Sequence, residues 1–156
     1  MKISRKLFSA VLWTSLVAGT LDAIGAIINY LIAYGKNPVR IFYYIASGVF
    51  GKEAYSVGNI MAVLGLVFHY LIALVFTSFF FLLASRIIWL QRHLPISGIF
   101  YGIFIWLVMN CIVLPFSNVV RGPFNPAQAI IGILILILAV GIPISIRSSL
   151  YFSKAG

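Results

Sequence analysis

Four long apolar runs decide what this chain can fold into. They cover residues 7–34, 57–85, 96–118 and 126–151. A helix crosses a hydrocarbon core of about 30 Å in about 20 residues. Inside lipid, a helix satisfies every backbone N–H and C=O within its own segment. Short stretches carrying charge, glycine and proline separate the runs. The pattern predicts an all-α, polytopic membrane protein: a four-helix transmembrane bundle forming one domain over residues 1–156.

Composition closes off the alternative of a soluble core. Of the 156 residues, 63% are hydrophobic and 8% are charged, against about 25% charged in a soluble domain. Such a chain cannot build a polar exterior, and lipid is the solvent that tolerates what it exposes. The net charge of +9 does not mark a nucleic-acid protein, because the basic residues are scattered between apolar runs and form no basic face. In a membrane they act as topology signals and as contacts for anionic lipid headgroups. The single cysteine, Cys111, lies inside an apolar run. It allows neither an intrachain disulfide nor a thiolate metal site, and it reads as a small packing residue.

The N-terminus has a basic start, Lys2, Arg5 and Lys6, followed by an apolar stretch. That arrangement resembles a secretory signal, with Val17, Ala18 and Gly19 as a passable cleavage point. The hydrophobic pattern continues to Tyr34, however, which predicts an uncleaved first span. Between spans one and two, residues 36–56 are too short and too charged to cross. Asn37 and Pro38 read as a helix start, with Pro38 at the first helical position. Ser47, Gly48 and Gly51 then interrupt an apolar, aromatic stretch. The segment is expected to be an extra interfacial or re-entrant helix, with Tyr43 and Tyr44 at headgroup depth. Residues 86–95 form a short second loop with Trp89 as an interfacial anchor. The stretch from Arg121 to Pro126 reads as a turn by its glycine and prolines.

Orientation follows from the basic residues. With the N-terminus inside, one side holds Lys2, Arg5, Lys6, Arg86, Arg92, Arg147 and Lys154. The other side holds Lys36, Arg40, Lys52 and Arg121. The excess on the first side predicts both termini in the cytoplasm.

Ionisable residues within a span are costly, and each is a functional-site hypothesis. Asp22 in span one and His69 in span two stand out, with the amides Asn29 and Asn110. At 1.5 Å per residue, Asp22 and His69 both lie about 18 Å from the outer ends of their spans, and Asn110 about 12 Å. Asp22, Ala26, Asn29 and Ala33 form one stripe. Gly58, Ala62, Gly65, His69 and Ala73 form another. Pairing the two stripes sets Asp22 against His69, with Asn110 nearby. Such a cluster is either a proton-accepting or ligand-binding site, or a hydrogen-bonded staple that fixes helix register. Pro115 and Pro143 fall inside spans three and four. Each removes a backbone bond and predicts a kink, a break that lines a cavity or a hinge. Gly98 and Gly102 form a close-packing motif, within the bundle or between subunits. On the outer side, Glu53 is expected to gather with Arg40, Lys52 and Arg121 over the bundle mouth.

The residues Gly19, Thr20, Leu21 and Asp22, then Pro38, Ile45, Ala46, Ser47, Gly48 and Gly51, then Gly65 with His69, then Tyr101, Gly102, Met109, Asn110 and Pro115, carry a resemblance. The pattern resembles a group of small four-span bacterial inner-membrane proteins of the YagU-like kind, over about residues 18–120. The resemblance implies a location in a bacterial cytoplasmic membrane. It implies no activity that transfers residue by residue.

No HExxH, phosphate-binding glycine loop or nucleophile with paired carboxylates occurs, so neither catalysis, a cofactor nor a metal is expected. Two functions remain. One is a small transport or permeation protein that uses the Asp22, His69 and Asn110 cluster, helped by a homo-oligomer. The other is a non-catalytic scaffold, accessory subunit or lipid-binding module in which the cluster is structural.

Overall fold

The structure is a computed structural model that describes residues 5–120 and 122–153. The described chain is helix joined by turns, with no strand among the described residues. Seven α-helices follow in order: α1 (Arg5–Tyr34), α2 (Arg40–Phe50), α3 (Asn59–Arg86), α4 (Ile88–Arg92), α5 (Leu94–Val108), α6 (Pro126–Ile135) and α7 (Ile142–Ser153). A π-helical turn, Met109–Val113, prolongs α5, and a π-helical segment, Leu136–Gly141, joins α6 to α7. The result is four apolar rods of 30, 28, 20 and 28 residues. At 1.5 Å per residue even the shortest reaches about 30 Å, the thickness of the hydrocarbon core. Length and composition together make this an integral, multi-pass membrane protein.

The distribution of side chains fits lipid as the solvent. Large apolar residues point outwards on every rod; Ile32 is 81% exposed, Val75 65% and Leu138 65%. The interior is built instead from small and hydroxyl side chains. Thr14, Ser15, Ala18, Thr77, Ala84, Ser97, Ser145 and Ser148 are all buried. Without water to expel, helices in lipid associate through close packing and hydrogen bonds, and small residues permit both. Several hydroxyls bond backbone carbonyls of other elements. Ser145 donates to the Leu94 carbonyl at 2.8 Å, Ser149 to Gln91 at 2.8 Å, and Tyr101 to Phe76 at 2.5 Å. Bulkier residues fill the half of the molecule that holds α4 and α7, where Phe76, Phe80, Phe81, Tyr101, Ile105 and Ile144 form one apolar core.

Gly98 and Gly102 lie within the chain's own packing. A methyl group on Gly102 would come within 2.6 Å of the Ile137 Cα, and one on Gly98 within 2.8 Å of the Ile142 Cα. A methyl on Gly141, from the opposite side, would meet the backbone of both Gly98 and Gly102. The three glycines thus let α5 lie directly on the π-helical segment and the start of α7.

The two span prolines turn out to share one local device. The Leu114 N–H reaches back five residues to the Met109 carbonyl at 2.8 Å, and Pro115 follows immediately. The Ile142 N–H likewise reaches the Ile137 carbonyl, and Pro143 follows immediately. A proline lacks the donor for an ordinary helical bond, and its ring collides with the carbonyl four residues back. Widening the preceding turn to a five-residue bond separates those groups. The consequences differ. The fourth rod continues through Pro143, whereas α5 and its π turn end at Val113, short of the expected residue 118, and Pro115 stands in the turn beyond.

The first loop departs from expectation in detail. Asn37 begins a turn in which its Oδ1 accepts from the Val39 N–H at 3.0 Å, and α2 starts at Arg40, two residues after Pro38. Ser47 and Gly48 do not interrupt α2. Ser47 bonds back to the Tyr44 carbonyl at 2.7 Å, and the helix stops at Gly51, whose φ of 59° suits glycine. A 3-10 turn, Gly51–Tyr55, follows. In α1, the helix is continuous through Val17, Ala18 and Gly19.

Candidate functional site

A cavity of about 680 Å³ opens among α1, α2, α3, the π turn after α5, and the α6 rod. Its wall on α1 runs from Gly19 to Tyr34, about 22 Å at 1.5 Å per residue. Phe76, Ile105 and Val140 line its deep end and also belong to the apolar core. The core therefore closes the cavity towards the half that holds the start of α1 and the end of α7. At the other end lie α2 and residues 117–119 of the loop after α5.

α2 is a wall of the cavity, contributing Phe42, Ile45, Gly48 and Val49. It seats on α3 because Gly65 has no side chain there: a methyl at Gly65 would collide with the Phe42 carbonyl. The Tyr43 hydroxyl donates to Asn59 Oδ1 at 3.1 Å. Asn118 clasps the far end of α2, its backbone N–H on the Gly48 carbonyl at 3.0 Å and its Nδ2 on the Val49 carbonyl at 2.9 Å.

The structure brings Asp22, Asn29, His69 and Asn110 to this one cavity, though their bonding differs from a simple cluster. His69 Nε2 lies 2.8 Å from the Gly19 carbonyl. A carbonyl only accepts, so Nε2 carries a proton and α3 is tied to α1 one turn from Asp22. The Asp22 carboxyl interacts electrostatically with the imidazole. Asn29 looks the other way and donates through Nδ2 to Gln128 Oε1 at 2.9 Å, tying α1 to α6. Asn110 bonds within its own helix, Nδ2 to the Trp106 carbonyl at 2.9 Å.

The two small-residue stripes do not meet along their length. Gly19 faces Tyr70 and Ala73, so α1 and α3 approach there and at His69. Gly65 turns to α2, Gly25 abuts Ile135 of α6, and Ala33 is exposed. Each helix divides its small residues among several neighbours.

Gln128 and Asn118 were not singled out from the sequence. Gln128 lies in the first turn of α6, behind Asn125, whose side chain accepts from the Ala127 and Gln128 N–H groups. Polar residues are ordinary at such a start, so only its reach to Asn29 distinguishes it. Both π-helical segments contribute to the cavity wall, through Met109, Asn110 and Val113 and through Leu136 and Val140. Their signal in the sequence was the proline after each.

Of the outer charged residues, Arg40 begins α2, while Lys52 and Glu53 share the 3-10 turn, all three exposed. None of them lines the cavity. The hydrogen bonds at Glu53 are to its backbone carbonyl, from Ser56 and Val57. Arg121 lies outside the described residues, as do Lys2 and Lys154. Cys111 is exposed. No group of three or more His, Cys, Asp or Glu side chains placed to hold a metal occurs among the described residues.

Fold and cavity together define a class, a four-rod multi-pass membrane protein with an internal cavity that carries one carboxylate. Compared with protein-family models, curated proteins and solved structures, the chain matches none.

Proposed function

We propose that this protein is a small, non-catalytic membrane transport protein whose solute occupies the internal cavity. The observation that carries the reading is the convergence of Asp22, Asn29, His69 and Asn110, from three rods, on one cavity of about 680 Å³. Ionisable groups in lipid are expensive and belong where they meet a solute or one another. The orientation that goes with this reading puts both termini in the cytoplasm of a bacterial inner membrane, as the basic residues and the YagU-like resemblance suggest. The cavity then faces outwards, with α2 at the headgroups and Tyr43 and Tyr44 at the interface. The exposed basic residues of that side contact anionic lipid. A homo-oligomer is the assembly that extends a short path across the bilayer.

A second reading makes the protein a scaffold, accessory subunit or lipid-binding module. It is favoured by the His69–Gly19 and Asn29–Gln128 bonds, which serve equally as register pins between helices. Purified Asp22→Asn and His69→Ala variants, assayed for folding and for solute or proton flux in liposomes, separate the two. Transport requires wild-type flux that disappears in variants which still fold. Loss of stability with no wild-type flux leaves the structural reading standing.

A further inference from the structure

We infer that the cavity selects a single-chain cationic amphiphile, its ammonium head at Asp22 and its hydrocarbon tail running towards Tyr34. The inference rests on reading the cavity as a ligand site and adds the chemistry of what fills it. Shape comes first. A volume of about 680 Å³ spread over about 22 Å of α1 leaves a mean cross-section of about 30 Å². That is room for one extended chain, and the length exceeds the roughly 15 Å of one leaflet's hydrocarbon. The walls beside that path are apolar, with Ala26, Ile45, Phe68 and Leu136 among them.

Charge sets the polarity of the ligand. Among the described residues, Asp22 is the single carboxylate on the lining, and no lysine or arginine lines it. The imidazole beside it has already committed its Nε2–H to the Gly19 carbonyl. A carboxylate in such surroundings is satisfied by a cation brought from outside, and an anionic head would meet a like charge at the closed end. A quaternary ammonium suits the site further, because it sheds water readily and is attracted to aromatic rings, and Phe76 lines the deep end.

The test uses the full chain in nanodiscs of zwitterionic lipid, with empty nanodiscs as the partition control. Three probes share one dodecyl chain: dodecyltrimethylammonium, dodecyl sulfate and dodecanol. The cation is expected to bind at least about tenfold tighter than either of the others, a preference worth about 1.4 kcal/mol. Asp22→Asn is expected to lower it to the level of the alcohol. If the sulfate or the alcohol binds wild type as tightly, the inference is overturned; an unchanged preference in Asp22→Asn overturns it equally. Should Asp22→Asn fail to fold, the ranking of the three probes on wild type decides. Ala26→Leu, which narrows the path beside an intact Asp22, is expected to weaken the dodecyl cation more than tetramethylammonium; equal effects on both overturn the placement of the tail. Cation preference without flux would retain this inference and remove the transport reading, and flux without cation preference would do the reverse.

Discussion

His69 shows how a single bond constrains a residue's chemistry. Its Nε2–H is held by the Gly19 carbonyl, so only Nδ1 is left to gain a proton or accept a bond. The bond is also a tie between α1 and α3, as Asn29–Gln128 is between α1 and α6. Interhelical hydrogen bonds in membranes average about 0.6 kcal/mol and reach about 1.7. His69→Ala is therefore expected to lower stability by no more than about 1.7 kcal/mol, read from unfolding in mixed micelles. A double-mutant cycle of Asn29→Ala and Gln128→Ala is expected to return a coupling near 0.6 kcal/mol, and a coupling of zero would show that the 2.9 Å contact is energetically idle. The polar members of the cavity were legible in the sequence because Asp22, Asn29, His69 and Asn110 stand alone in apolar runs. Their hydrogen-bond partners were not. A helical period says which residues share a face but not which neighbour that face meets. Hence Gly65 and His69, four residues apart on one stripe, serve α2 and α1 respectively.

At the scale of the element, three glycines and two prolines organise the third and fourth rods. Gly98 and Gly102 were readable as a close-packing pair, but whether they faced this chain or another copy was open. The backbone of residues 137–142 answers that, since it occupies the space a methyl would need. Backbone cannot yield as a side-chain tip can, so Gly102→Val is expected to cost at least about 1–3 kcal/mol, the usual range for overpacking. Gly122→Ala is the matched control. Nothing lies within 4 Å of its added methyl, and its stability should be unchanged. The π-helical turns escaped the sequence reading, because hydropathy does not distinguish a four-residue bond from a five-residue one. Only Pro115 and Pro143 hinted at them. The same logic isolates α2. Gly65→Val should unseat α2 from α3 through the Phe42 carbonyl and leave the glycine-packed rods intact. Amide exchange should then rise over residues 42–50 and stay unchanged over residues 98–108. Faster exchange throughout would mean that α2 is integral to the core.

At the scale of the whole molecule, the two halves do different things. The half with the start of α1 and the end of α7 is filled by Phe80, Phe81, Tyr101 and Ile144. The half with α2 holds the cavity, walled by a helix too short to cross. The four spans were legible because crossing lipid demands about 20 apolar residues each. The cavity was not, since an apolar side chain facing a void and one facing lipid read alike. Topology decides which face of the membrane the cavity addresses, and the proposed orientation has the basic residues as its warrant. With the N-terminus inside, seven basic residues face the cytoplasm and four the outside. An impermeant thiol reagent on intact cells should label Ser56→Cys and spare His93→Cys, both exposed positions that leave the basic count untouched, in a Cys111→Ser background. The opposite pattern would turn the cavity to the cytoplasm and make the protein draw its ligand from within. Removing Arg86 and Arg92 together leaves five basic residues against four, so the bias that holds the orientation nearly vanishes. That double variant should be labelled at both sites, each on a fraction of the molecules. If it keeps one orientation, the clustered charges at the N-terminus, Arg5 and Lys6 among them, set the topology on their own.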